Sequence, residues 1–460
     1  MTRSLLYNAG VVTMDTDHHQ YNNGAVLIEN DRISAIGRSE ALLAEVATEP
    51  SRETVYIDLR GRWLLPGLIN THVHTSQQLG RGLGDDVSLL TWLYERIWPY
   101  ESNMTEEDSY VSTLLCGLEQ IRSGVTCFAE PGGQFVDGMG RATTELGLRG
   151  ILARSTMDMG EGLPEKWHES TDASLDIQIA NYERWHGEAG GRIRTWFGLR
   201  TIFNNSDDLI VRTKALADEY GVGVHMHVAE IEEEVRFAQE TRGATTVTHL
   251  RNLGVLDSNF LAVHSVWLTD AEVEMFADHH VKVSHNPAAA MRVLGFAKVP
   301  EMLRAGVCVA LGTDGAPSNN RMTLIDEMWL TSLIHKGRTL DPTVVPAQAV
   351  LAMVTCDAAR ALQWQDEIGS LAVGKKADLV VIDPDSPAML PIHDPIANMV
   401  TAMHAHNVES VIVDGRWLMR EREVLVVNEQ EVMEEAKARA AAIARRAGIE
   451  LPDRFTVVDR

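Results

Sequence analysis

Cysteine is scarce. Four occur in 460 residues, Cys116, Cys127, Cys308 and Cys356, widely spaced and without a CxxC pair. That argues against a disulfide framework or a thiolate metal centre, and their apolar neighbours mark them as buried free thiols. Positive charge is also short, with 41 Lys plus Arg against 65 Asp plus Glu, a formal net charge of −24. Such a surface repels phosphate backbones, so neither nucleic acid nor acidic membrane is expected as a partner. A small-molecule substrate in a local pocket remains. No run approaches ~18 uninterrupted apolar residues, and the start, "MTRSLLYNAGVVTMD", lacks an apolar signal core. A soluble, cytoplasmic chain is expected. Low-complexity tracts and short repeats are missing too. What is present, 45% hydrophobic and 23% charged residues, is enough for a sizeable globular core.

Residues 1 to about 60 read as short strands joined by Asn/Asp/Gly turns, an antiparallel β unit. From residue 64 the pattern changes to apolar runs alternating with amphipathic helical stretches. The runs are "LLPGLINTH", "GVTCFAE", "RGILARST", "RIRTWFGLR", "VGVHMHVAE", "FLAVHSV", "VKVSHNP" and "VCVALGTDG". Near-continuous apolar strands separated by helices predict an α/β fold with a covered parallel sheet. Eight such units predict a (β/α)8 TIM barrel, whose catalytic residues sit at the C-terminal strand ends. Strand-like runs return after about residue 365, and "NEQEVMEEAKARAAAIARRAG" reads as a helix N-capped by Asn428. The expected domains are a barrel over 64–364, a small β-sandwich from both chain ends (1–63 and 365–427), and a C-terminal helix and tail over 428–460.

The chemistry gathers at strand ends. His72 and His74, two apart, face the same way on a strand. Alone they could equally be polar residues on a strand edge. Four further strand ends supply company: His225, His227 and then Glu230 in "VHMHVAE", His264 in "FLAVHSV", His285 in "VKVSHNP", and Asp314 in "VALGTDG". Imidazole and carboxylate are ligands for zinc or a similar divalent ion. Individually, His285 suits a core histidine and Asp314 a turn, while His225 is expected to point away from the site. Glu230 heads an acidic run whose Glu232, Glu233 and Glu234 read as a solvated helix face. Together, five strands converging on one rim favour the metal.

The ordered motifs "PGLINTHVH", "HVAE", "VHSV", "SHNP", "GTDGAPSNN" and "IGSLAVGKKADLVVID", spread over nearly the whole chain, resemble the amidohydrolase superfamily. Within it the chain is similar to the branch of methylthioadenosine/S-adenosylhomocysteine deaminases and triazine amino- and chlorohydrolases. The resemblance implies one divalent ion per subunit, zinc first, with cobalt, iron or manganese as alternatives. His72, His74, His227 and Asp314 would hold it, with His264 as the remaining histidine ligand and His285 behind them as acid/base partner. A homodimer or homotetramer is implied as well. No lysine follows "GLR" at Arg200, so a carbamylated-lysine binuclear site is not expected.

The implied mechanism uses water whose pKa is lowered from 15.7 to about 7 by the metal. Asp314 accepts its proton, His285 steadies the nucleophile and developing oxyanion, and Glu230 protonates the ring nitrogen beside the attacked carbon. For the substrate, Trp92, Trp98 and Tyr100 either wall a planar ring or anchor their loop. Glu101 matches a carboxylate that receives ribose hydroxyls in the resembling deaminases, and Arg154 a substrate-side arginine. Ser318 and Asn319 complete the expected contacts. Arg200 and Trp267 stand where histidines are usual, and Ala289 and Ala290 where Ser-Asn is usual, which leaves a drier pocket. Three readings follow: an aminohydrolase of a nitrogen heterocycle; a hydrolase of the same site class expelling chloride or alkylamine from a ring, or cleaving a carbamate, thiocarbamate or urea; and a non-catalytic scaffold, disfavoured because every ligand is retained.

Overall fold

The structure is a computed structural model and describes residues 3–49 and 53–451; the end of the expected tail, 452–460, lies outside the described residues. All eight apolar runs contain strands. In chain order these are Leu68–Asn70, Val125–Glu130, Arg149–Leu152 continued by Ser155–Thr156, Ile193–Thr195 continued by Phe197–Leu199, Val224–Val228, Phe260–His264, Lys282–His285 and Cys308–Leu311. Each pairs in parallel with the next. The eighth returns to the first where the Thr71 amide donates to the Leu311 carbonyl and the Thr313 amide to the His72 carbonyl, both at 3.0 Å. That closure makes the sheet a (β/α)8 barrel. Strand residues such as Met226, Ala262 and Val283 are fully buried, as a sheet covered on both faces requires.

The helices between strands start where capping residues dictate. Thr105 and Asp108 form a reciprocal capping box at Glu106–Arg122, Ser206 caps Asp207–Tyr220, and Thr269 with Glu272 caps Asp270–Asp278. At the C-terminal helix, Glu429–Ala447, the Asn428 side chain accepts from the Gln430 and Glu431 amides, and Gly448 ends it in a left-handed conformation.

The chain ends build one nine-stranded sheet. Its path runs from Glu423–Val424 through Arg416–Arg420, Val408–Val413, Leu379–Ile382, Trp63–Pro66 and Arg3–Val12 to Gln20–Glu29 and Arg32–Arg38. Val11, Ile28, Leu64, Leu379 and Ile412 from both halves meet in one cluster, so the two layers of the sandwich are the two ends of a single curled sheet. Three details correct the sequence reading. The N-terminal unit is not purely antiparallel, because Val55–Asp58 and Trp63–Pro66 both run parallel to Arg3–Val12. A helix, Ser39–Ala47, covers the outer face through Leu42 and Val46. The boundary at 63/64 cuts a strand, since Trp63–Pro66 pairs with Leu379–Ile382 and the barrel begins only after Gly67. Among the described residues, no helix is long and apolar enough to cross a membrane.

Candidate active site

The barrel's C-terminal rim gathers the histidines. His72 and His74 follow the first strand, His227 lies on the fifth, His264 ends the sixth, and Asp314 follows the eighth. His72 Nε2 and His74 Nε2 lie 3.4 and 3.5 Å from Asp314 Oδ1, and His227 Nε2 lies 3.4 Å from His74 Nε2. His72 with His227 and His264, and His72 with His74 and Asp314, each present ligand atoms within 4.8 Å of one another.

The outward-facing nitrogens explain why the inward ones are free. His227 Nδ1 donates to the Arg200 carbonyl at 2.9 Å, and His72 Nδ1 meets His225 Nε2 at 3.0 Å. His72 Nε2 is buried with no hydrogen-bond partner among the described residues. Burial holds His72, His74 and His227 well below the usual imidazole pKa, helped by the positive charge of Arg200. Neutral imidazoles and a carboxylate converging on one point, with an orphaned nitrogen, are the donor set of a divalent cation site. The residues fit the ion.

His264 is arranged differently. Its Nδ1 accepts from the Asn286 amide at 3.2 Å, which leaves the ring proton on Nε2, 3.6 Å from Glu230 Oε1. Glu230 is buried deeply enough to raise its pKa, against the opposing pull of His264 and Arg200. Both line a cavity of about 500 Å³ together with His74, His227, Asp314 and Arg200. Its remaining wall is largely apolar, including Leu93, Trp98, Phe203, Phe237 and Leu294.

Several other expected site residues lie outside the cavity wall. His285 is not part of the cavity wall, and its Nε2 lies 3.2 Å from His335 Nε2. Arg154 is held by Glu169 at 2.9 Å and by Gln134, outside the cavity wall. Trp267 is 42% exposed, with its indole N–H donating to the Leu294 carbonyl. Asn319 ties the Thr313 carbonyl to Glu327, while Ser318 does line the cavity. Glu101 is half-buried and outside the cavity wall, accepting from Gln77 Nε2 at 2.8 Å. Trp92 and Trp98 wall the cavity, whereas Tyr100 anchors their loop through its hydroxyl and the Ser76 carbonyl. His225 lies beneath the cage and supports His72 instead of turning away, because residues two apart on a strand share a face.

Sequence reasoning missed a set of buried carboxylates. Glu130 accepts from the Thr75 amide and hydroxyl at 2.6 Å, and burial raises it to about 7. Glu234, expected on a solvated face, is 1% exposed and raised by burial to about 8. Glu327 is fully buried and likewise raised to about 8. Glu130 ends the second strand in "GVTCFAE" at the catalytic rim, a signal available in the sequence; His335, inside a helix, carries none.

The sequence pattern of the amidohydrolase family matches residues 63–418, most of the chain. The chain belongs to the amidohydrolase family. A 5'-deoxyadenosine deaminase of Methanosarcina mazei is 39% identical over 448 residues, covering 97% of this chain and 99% of its own. A 5-methylthioadenosine/S-adenosylhomocysteine deaminase of Thermoanaerobacter pseudethanolicus is 35% identical, covering 96% of this chain and 99% of its own. Among solved structures, an adenosine deaminase from Xanthomonas campestris with bound zinc superposes with a TM-score of 0.90 at 28% identity, over 96% of this chain and 99% of its own. The atrazine chlorohydrolase of Arthrobacter aurescens, complexed with zinc, shares the fold at a TM-score of 0.87 and 24% identity, over 95% of this chain and 100% of its own. This amidohydrolase is a hydrolase of carbon–nitrogen bonds other than peptide bonds.

Proposed function

We propose that this amidohydrolase is a zinc-dependent deaminase releasing ammonia from the ring amine of an adenine nucleoside whose 5' end is unsubstituted or apolar. The carrying observation is the half-buried Glu230 carboxyl 3.6 Å from Nε2 of His264, both open to the cavity that the metal cage closes. The similarity to deaminases of adenosine derivatives over nearly the full chain supports that substrate class. The apolar outer wall suits a 5' end without polar groups.

Four residues, His72, His74, His227 and Asp314, would hold the ion, which supplies hydroxide near neutral pH by acidifying water. Asp314 takes the water proton. His264 donates from Nε2 to the incoming oxygen and keeps it oriented. Glu230, favoured in its protonated form by burial, delivers a proton to the ring nitrogen beside the attacked carbon. Asp314 then passes the water proton to the amine, which leaves as ammonia while the remaining hydroxyl proton of the tetrahedral adduct returns to Glu230. Arg200 and Ser318 also line the cavity that would receive the substrate.

One observation favours a second reading. Arg200 places a permanent charge at the rim where the resembling deaminases carry a histidine, and Ala289 adds no polar group. That pairing suits a carbonyl-bearing substrate such as a carbamate or urea. Zinc-loaded protein should release ammonia from 5'-deoxyadenosine, and chelation or Glu230→Gln should abolish it. Absence of ammonia with release of amine, thiol or halide from carbamates, ureas or triazines would establish the second reading instead.

A further inference from the structure

Glu234 sits at the third position of the helix Glu232–Arg242, whose N-cap residue, Ile231, offers no side-chain cap. Its carboxyl reaches back past that cap. Oε1 accepts from the Ala229 amide and Oε2 from the Glu230 amide, each at 2.8 Å. Ala229 has φ of 50°, the left-handed region that non-glycine residues seldom adopt without being held there. The two held peptides are themselves a platform. The Ala229 carbonyl accepts from the Val266 and Trp267 amides at 3.0 and 2.9 Å, and the Val228 carbonyl from the Ser265 amide at 3.1 Å. His264 and Ser265 are left-handed too, at φ of 65° and 49°. Two strained turns, one ending in Glu230 and one starting at His264, thus lock together through two successive peptides that Glu234 fixes.

We infer that Glu234 is a positioning residue that sets the reach of Glu230 and its 3.6 Å approach to His264. The inference rests on the proposed role of Glu230 as the proton-carrying carboxyl. A side chain with two acceptor oxygens is required, because both groups it faces are N–H donors. Glutamine turns an amine toward one of them, freeing the turn to relax while the ligands on the other strands stay where they are.

The test is Glu234→Gln in zinc-loaded full-length protein, with 5'-deoxyadenosine as substrate. Misplacing an acid/base group by about 1 Å costs on the order of 10²-fold. The expected result is a kcat lower by roughly that factor, KM and zinc content close to wild type, and faster amide exchange at Ala229 and Glu230. An unchanged kcat, loss of zinc in parallel with activity, or undiminished protection of those two amides overturns the inference. If Glu234→Gln does not fold, Glu234→Asp, which keeps the carboxylate one methylene short, carries the same comparison. Should wild type fail to turn over 5'-deoxyadenosine, the proposed substrate falls, and amide exchange in the variant still decides the clamp.

Discussion

Glu327 shows how one buried carboxyl bears on stability as well as architecture. Its two oxygens accept from the Ala288 amide at 3.1 Å and from Asn319 Nδ2 at 2.7 Å, joining the turns after the seventh and eighth strands. Burial raises its pKa from 4.5 to about 8. A carboxyl with a higher pKa folded than unfolded takes up a proton on folding, so the stability it confers below 4.5 is lost as pH rises to about 8. Glu327→Gln removes that titration. The melting temperature of wild type minus that of the variant should therefore fall between about pH 5 and pH 8, and a flat difference would refute the assignment. At this scale the sequence was legible where residue type and strand end coincide: His72, His74, His227, His264 and Asp314 meet as their positions imply. Glu234 was misread because a helix-starting acidic run has the same composition whether it faces solvent or reaches backward to amides. The partner of His285, His335, was not legible, because it lies 50 residues away in a helix that gives no sign of it.

At the scale of elements, strand position was readable and strand allegiance was not. "LLPGLINTH" is one apolar run, yet the residues before Gly67 pair with the terminal sheet and those after it with the barrel. Hydrophobicity marks both halves as buried and says nothing about which neighbour buries them. Gly67 is where the chain passes between the two. A Cβ there would lie 2.1 Å from Thr126 Oγ1 and 2.7 Å from Thr126 Cβ, on the second barrel strand. Gly67→Ala should destabilise by about 1–3 kcal/mol, the usual range for overpacking, read as a lower denaturation midpoint. Adding Thr126→Ala should recover only part of the loss, since the close Cβ remains. Full recovery, or no loss at all, would show that the strands separate freely at this point.

At the scale of the whole molecule, the two sheets are tied by one buried cation. Arg149 begins the third barrel strand, is 1% exposed, and donates from Nε to Asp378 at 2.5 Å and from Nη2 to Asp414. Asp378 precedes the sheet strand Leu379–Ile382, and its carbonyl also accepts from the Gly67 amide at 3.0 Å. Arg149 therefore joins the barrel to the sheet beside the place where the chain crosses between them. Arg149→Met keeps length and apolar packing but strands two carboxylates. Breaking a buried pair in this way costs about 3–5 kcal/mol. The lower end is expected here, because Arg192 at 3.6 Å and Lys376 at 3.7 Å still face Asp414, while Asp378 keeps the Asp414 amide. If the ion pair is what makes the two sheets unfold together, denaturant should unfold the wild type in one transition and the variant in two, the terminal sheet first. A single, merely shifted transition would mean that the shared strand run through Gly67 couples them without Arg149.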